Sequence, residues 1–359
     1  MTTSSTGLLT INLDALARNY RLLRDTAMPS KCGAVIKANA YGLGIQPITQ
    51  RLFDEGCRQF FVATVAEGLA LRQQFVTPEI YVLAGAQVGE ESLVREAKLI
   101  PVLNSREQII RWAEFVDAKR YPAVIHIDTG MTRLGIDGNE LNQAALDELE
   151  IAYLMTHLVC ADDPDNQINW DQIEIFARQC HRLPPLKTSI GNSGGLLLGE
   201  EFRGDLVRPG IAIYGGNPFS TSSNPMETVV TFEATILQVK EVMKTTSVGY
   251  GATCQINAPA RLATVGVGYA DGIPHALSNC GEGYLGNMRV PIVGRVSMDL
   301  VTLDVSAVAC RDVFPGARVE FLGKHIPLDD MAKKAGMISY EILTGFGQRL
   351  QRDYVVDSD

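Results

Sequence analysis

The stretch Ala34-Val35-Ile36-Lys37-Ala38-Asn39-Ala40-Tyr41-Gly42-Leu43-Gly44 decides the fold, because a short apolar run ends on a lysine and opens into small residues. Bounded this way, the run reads as a buried strand that feeds a turn. A lysine there is badly placed for solubility and well placed for chemistry. Burial lowers an amine's pKa, and a neutral amine attacks carbonyls and carries protons. The competing reading is a strand-end lysine whose head group snorkels to solvent.

Outward from this stretch the same pattern recurs. Short β-branched runs alternate with helical periodicity from about residue 8 to 225, giving strand candidates at 33–37, 60–65, 79–84, 99–103, 123–128, 151–157, 186–191 and 206–214. Eight such units predict an α/β fold, a closed (β/α)8 TIM-like barrel, better than an open doubly wound sheet. The helices between them are amphipathic, as at 13–23 and 170–179, with apolar faces to cover the barrel. Near Asn217-Pro218-Phe219-Ser220-Thr221-Ser222-Ser223-Asn224-Pro225 the composition becomes that of a linker. Beyond it, 229–242, 262–267, 290–305 and 318–322 read as strands without regular helical crossovers. The expected domains are therefore a barrel over 1–225 and a mainly-β domain over 226–359.

A formal net charge of -9 argues against nucleic acid or an anionic membrane surface as partner and favours a small molecule. No basic segment followed by an apolar stretch opens the chain, and no run of about 18 apolar residues occurs, so neither a signal peptide nor a membrane span is expected. The seven cysteines are scattered without zinc-ligand spacing. Reduced thiols in a cytoplasm, and no metal, are the expectation.

In a barrel the C-terminal strand ends meet the substrate. Lys37, Thr64, Asp128 and His157 stand at such ends and Ser193 follows the seventh strand; for Thr64 and Asp128 a helix cap or loop hydrogen bond is an equal reading. Asn192-Ser193-Gly194-Gly195 and Arg208-Pro209-Gly210-Ile211 occupy the loops where barrels often build phosphate sites. With Lys37, they point to a phosphorylated cofactor. In 123–135, alternation puts Ile125 and Ile127 on one face, and His126 and Asp128 on the face toward the barrel interior. Arg133, just beyond, could fork onto a substrate carboxylate; a core histidine and a surface arginine are the competing readings. Tyr250 and Tyr269 each stand between small residues, which expose a phenol for acid or base work. Gly-Tyr turns are also common in β domains.

Taken together, Ala34 to Gly42, Asp128-Thr129-Gly130-Met131-Thr132-Arg133-Leu134-Gly135, Met155-Thr156-His157, Asn192-Ser193, Arg208-Pro209-Gly210-Ile211, Val248-Gly249-Tyr250-Gly251, Gly268-Tyr269-Ala270-Asp271-Gly272, 293–299 and Ser339-Tyr340-Glu341 closely resemble the bacterial alanine racemases, fold-type III pyridoxal-phosphate enzymes. The segments span nearly the whole chain in family order. The resemblance implies that Lys37 forms the Schiff base with pyridoxal 5'-phosphate, and that Tyr41, Ser193, Gly210, Ile211 and Tyr340 hold its phosphate. It also places Arg208 at the pyridine nitrogen, backed by His157. Arginine does not give up its proton, so the ring nitrogen stays unprotonated and the cofactor a restrained electron sink.

By the same resemblance Lys37 serves D-alanine and Tyr250 of the partner subunit serves L-alanine, in a head-to-tail homodimer supplying D-alanine for peptidoglycan. Arg133 and Met298 bind the substrate, and Tyr269 and Asp299 line the entrance from the partner side. One departure bears on substrate binding. Where many relatives carry a lysine, often carbamylated, two residues before Asp-Thr-Gly, this chain has His126, which leaves chloride, water or a direct hydrogen bond to hold Arg133. Leu43 also replaces a family histidine. Two other readings share the residues: a broader-specificity racemase acting on serine, lysine or arginine, and a pyridoxal-phosphate carrier without turnover. The carrier needs no tyrosine base.

Overall fold

The computed structural model describes residues 5–115, 121–141, 146, 149–219 and 223–357. Two compact units emerge: one holds Ala17–Ile213 and Asn217–Met226, the other Tyr214–Gly216, the chain from Glu227 and the N-terminal segment through Leu16. The linker expected near 217–225 falls partly on 220–222, outside the described residues.

In the first unit seven strands run parallel in the order Thr188–Ser189, Glu150–Met155, Pro122–Asp128, Leu99–Leu103, Glu79–Val82, Gln59–Val62 and Ala34–Val35. The eighth, Leu206–Val207, pairs in parallel with Lys31–Cys32. Gly33 N donates to Val207 O at 2.9 Å and Val35 N to Pro209 O at 2.9 Å, while Asp205 N and Arg208 N reach Thr188 O and Gly191 O at 2.8 and 2.7 Å. These bonds close the ring. The central strands are buried almost continuously, as a sheet covered on both faces requires.

Several strand limits differ from expectation, and for two of them the backbone gives the reason. The eighth strand stops at Val207, because Pro209 has no N–H to continue a ladder and the chain then coils through the 3-10 turn Ile211–Tyr214. The seventh is only Thr188–Ser189. In the other unit, 290–305 divides into Met288–Pro291 and Val301–Asp304 around a turn, where Gly294 takes φ +80°.

Asn12 caps the helix Leu13–Ala27, its Oδ1 accepting from Asp14 N and Ala15 N at 2.9 Å each. The helix Gln167–Cys180 departs from a simple apolar face. It buries Asn169, Gln172 and Phe176 and leaves Ile168 and Trp170 partly exposed. Gln172 is tolerated because it is bonded at both ends, whereas Asn169 Nδ2 donates to Cys160 O and Asp163 O at 3.0 Å each and its buried Oδ1 has no partner among the described residues.

The second unit is mainly β. Its path runs Met288–Pro291, Glu282–Leu285, Arg318–Leu322, Val230–Val242, Gly7–Asn12, Gln351–Val355, with Ala260–Val265 pairing to Val230–Val242 and to Val301–Asp304. Gly7–Asn12 thus sits antiparallel to Val230–Val242 and parallel to Gln351–Val355. These first residues therefore belong to the β sheet and not, as expected from the sequence, to the barrel. Leu9 and Ile11 are fully buried in this sheet, each stabilising it by roughly 2–3 kcal/mol.

Candidate active site

Lys37 does not end its strand; it opens the turn that follows. Ala38, Asn39, Ala40 and Tyr41 take φ of +53, +55, +53 and +55°, a left-handed turn built from non-glycine residues. Each costs about 1–2 kcal/mol relative to a right-handed conformation, so the surroundings must hold it. Ala40 N bonds Ile36 O at 2.9 Å, Gly42 N bonds Ala38 O at 2.8 Å and Gly44 N bonds Asn39 O at 2.9 Å. Asn39 Oδ1 accepts from Ile45 N at 2.9 Å, and the Glu67 carboxylate accepts from Ala38 N at 2.7 Å. Lys37 is half-buried, and burial, with the nearby Arg133 cation, lowers its pKa against an opposing pull from Glu67. A neutral amine is thereby brought within reach.

Tyr41 is buried, and its hydroxyl approaches Gly210 so closely that a Cβ there would lie 2.3 Å from Oη. Only glycine fits. Ser193, also buried, accepts from Gly210 N at 2.9 Å and Ala212 N at 3.3 Å through Oγ, which leaves its own proton free to donate. Ile211 is 1% exposed beside them. Tyr41, Ser193, Gly210 and Ile211 therefore form one small cradle.

Arg208 is 4% exposed. Its guanidinium donates to Ser189 Oγ at 2.6 Å, Thr156 O at 2.8 Å, Ile190 O at 3.1 Å and, more weakly, His157 Nδ1 at 3.4 Å. Burial pushes its pKa down to about 9, so it stays charged at neutral pH. Burial, then Arg208 and Arg133, pushes His157 down to about 3. His157 is neutral and accepts at Nδ1. Behind it, Gln172 donates to His157 O at 3.1 Å and Thr129 Oγ1 at 3.0 Å.

His126 is buried, with Nδ1 2.8 Å from Asn104 Oδ1. Asn104 spends its amide hydrogens on Leu83 O and Val102 O at 3.0 and 2.8 Å, so its Oδ1 accepts and His126 Nδ1 donates. Nε2 then carries a lone pair. Burial, then Arg208, lowers His126 to about 4, opposed by Asp128. Asp128 itself is a loop builder: its carboxylate accepts from Gly130 N and Met131 N at 2.9 Å and Thr132 N at 3.0 Å. Arg133 leaves the end of that loop exposed. Thr64 caps the helix Val65–Arg72, accepting from Glu67 N at 3.3 Å. For these two residues the loop hydrogen bond and the helix cap describe the geometry.

The other five candidates lie in the second unit. Tyr250 is 73% exposed on a turn where Gly249 and Gly251 both take φ +71°. Tyr269 N donates to Ser297 O at 3.0 Å and Ala270 N to Met298 O at 3.1 Å, and a Cβ on Gly268 would lie 2.2 Å from Ser297 O. The Tyr269 and Met298 turns are thus held back to back. Arg349 bonds Asp271 at 3.0 and 2.9 Å and Asp299 at 2.7 Å, pinning the same two turns. Tyr340 is 41% exposed in the first turn of Ser339–Thr344.

The barrel residues suit pyridoxal phosphate on their own chemistry: a depressed lysine for its carbonyl, a cradle that only glycine completes for its phosphate, and a buried cation for its ring. No group of three or more His, Cys, Asp or Glu placed to hold a metal occurs among the described residues. Among those residues no helix is long and apolar enough to cross a membrane. Glu67, Asn104, Gln172 and Arg349 are not visible as site residues in the sequence. Each acts on a segment distant in sequence, and only the Thr-x-x-Glu spacing of Thr64 and Glu67 leaves a local signal.

Family models described as alanine racemase, N-terminal domain and C-terminal domain, match residues 11–218 and 229–354. An alanine racemase of Rhodospirillum rubrum is 45% identical over 98% of this chain and 96% of the relative. A catabolic alanine racemase of Agrobacterium fabrum is 43% identical over 98% of this chain and 92% of its own length. The crystal structure of the Bartonella henselae alanine racemase with covalently bound pyridoxal phosphate matches with a TM-score of 0.94 at 39% identity, covering 98% of this chain and all of that one.

Proposed function

The chain belongs to the alanine racemase family, and on that premise we propose that it interconverts L-alanine and D-alanine with pyridoxal 5'-phosphate, through Lys37 and Tyr250 of the partner subunit. The observation that carries the reading is the joining, at one barrel end, of a depressed Lys37, the Tyr41–Gly210–Ser193 cradle and an Arg208 held by neutral acceptors. When bound, the cofactor supplies an electron sink for the pair released as the Cα proton leaves.

The chain's residues do the rest. Lys37 Nζ, its pKa lowered by burial and the Arg133 charge, takes or returns the proton on one face of the substrate's α-carbon. The phenol of Tyr250 of the partner subunit serves the other face, and its exposure suits a residue that works across a subunit boundary. Arg208 donates to the ring nitrogen without surrendering a proton, backed by the neutral His157. Tyr41, Ser193, Gly210, Ile211 and Tyr340 hold the phosphate.

Arg133 and Met298 bind the substrate carboxylate, and Tyr269 and Asp299 line the entrance from the partner side. In place of an anion, the Nε2 lone pair of the neutral His126 is the acceptor offered to Arg133. The enzyme acts as a head-to-tail homodimer in the cytoplasm, the barrel unit of Ala17–Ile213 working with the partner's mainly-β unit. Two enantiomers have equal free energies, so the site runs either way; D-alanine supply for peptidoglycan and the catabolic direction named for some relatives use the same chemistry.

The test is purified protein supplied with pyridoxal phosphate. It should interconvert the alanines, prefer alanine to serine, lysine and arginine at matched concentration, and lose turnover in Lys37→Ala. Retained turnover in that variant would refute the reading.

A further inference from the structure

One carboxylate on the barrel ties together two strand ends, one of them beside Lys37. Glu67 lies in the first turn of the helix Val65–Arg72, below its Thr64 cap. An acid at this position ordinarily turns back onto the N-cap N–H. Here Oε2 accepts instead from Ala63 N at 2.7 Å, and Oε1 crosses to accept from Ala38 N at 2.7 Å. Ala63 follows the strand Gln59–Val62, and Ala38 is the residue after Lys37.

Both bonds are charge-assisted and short, the strong kind. The Ala38 N–H needs an outside acceptor because it opens a turn whose internal bonds begin at Ala40. Ala38 is also where the backbone first swings to φ +53°. Release of that N–H frees the residue that sets how Lys37 leaves the strand.

We propose that Glu67 is a positioning residue for Lys37, its carboxylate clamping the Ala38 and Ala63 N–H groups so that the left-handed turn holds the lysine in one direction. The proposal rests on the reading of Lys37 as the cofactor-bearing residue. Glu67 also offsets the Arg133 charge at the amine.

The test uses the pyridoxal-phosphate-loaded protein, with Glu67→Gln, which keeps the shape and loses the charge and one acceptor. Thr64→Ala is the control, because it removes the cap of the same helix and leaves the carboxylate. Amide exchange at Ala38 and Ala63 is read with the visible circular dichroism of the bound cofactor, which reports a fixed orientation. Glu67→Gln is expected to speed exchange at those two amides about tenfold and to lower the dichroism per bound cofactor, while Thr64→Ala changes neither.

Unchanged exchange and dichroism in folded Glu67→Gln overturn the proposal, as does an equal change in Thr64→Ala, which marks a merely structural role. If Glu67→Gln does not fold, Glu67→Asp, which keeps the charge but shortens the reach, carries the same readout. Borohydride trapping of wild type distinguishes the two levels: no adduct at Lys37 sinks the functional reading and this proposal together, whereas a Lys37 adduct with unchanged variants sinks this proposal alone.

Discussion

Asn104 fixes the tautomer of His126: the two side chains meet at 2.8 Å, and both amide hydrogens of Asn104 are already committed to backbone carbonyls. His126 therefore presents an acceptor at Nε2. A neutral acceptor can hold a guanidinium through one hydrogen bond, with less electrostatic pull than an anion.

Replacing Asn104 by Ala frees the imidazole to turn and to change tautomer. The expected result is a KM for alanine about tenfold higher, the equivalent of one lost hydrogen bond to a charged group, with kcat changed far less. Steady-state kinetics in both directions check this. An equal fall in kcat at unchanged KM would place Asn104 in the chemical step instead.

Acid should destabilise the fold before it touches ordinary surface carboxylates. The folded values of about 4 for His126 and about 3 for His157 lie below the ordinary 6.5, so between these limits the unfolded chain binds protons that the native state refuses. Stability is then full above pH 6.5 and is lost as pH falls toward 4, with a slope of up to about 1.4 kcal/mol per pH unit from each group. Urea midpoints from pH 8 to 4.5 should show this decline, and His126→Gln should flatten part of it. A flat wild-type profile would contradict the assignment.

Gly210→Ala should damage cofactor retention more than folding. Its Cβ would meet Tyr41 Oη at 2.3 Å and Val35 Cβ at 3.5 Å, so the tyrosine must move out of the cradle. Overpacking of this kind costs about 1–3 kcal/mol, and the cofactor dissociation constant should rise about tenfold or more. Fluorescence titration with pyridoxal phosphate reads it. Wild-type affinity would show that the cradle does not hold the phosphate.

Much of this arrangement is legible in the amino-acid sequence. Apolar runs at regular spacing mark all eight barrel strands, because a strand covered on both faces has no reason to alternate. Their ends are less clear: Pro209 and Gly210 stop a ladder that composition alone continues to Tyr214. Gly7–Asn12 looks like part of the barrel because periodicity reveals a strand and not the sheet it joins, whose partners lie more than 200 residues away. At the site, Lys37, Ser193 and Arg208 stand out by residue type and position. Glu67, Asn104 and Gln172 do not, since what makes each important is a hydrogen bond to a segment elsewhere in the chain. Thr64 and Asp128 show the converse, polar strand ends that organise local backbone.

The proposed active site takes Lys37 from one subunit and Tyr250 from the other, and subunit mixing is the decisive measurement. Lys37→Ala and Tyr250→Phe are each expected to lose most activity as homodimers. Co-expressed, half of the dimers pair the two variants, and in a head-to-tail arrangement each mixed dimer keeps one intact site, so activity should return to about a quarter of wild type. Mixed dimers no more active than either parent would contradict the shared site, because that is the outcome when both residues serve a site within one chain.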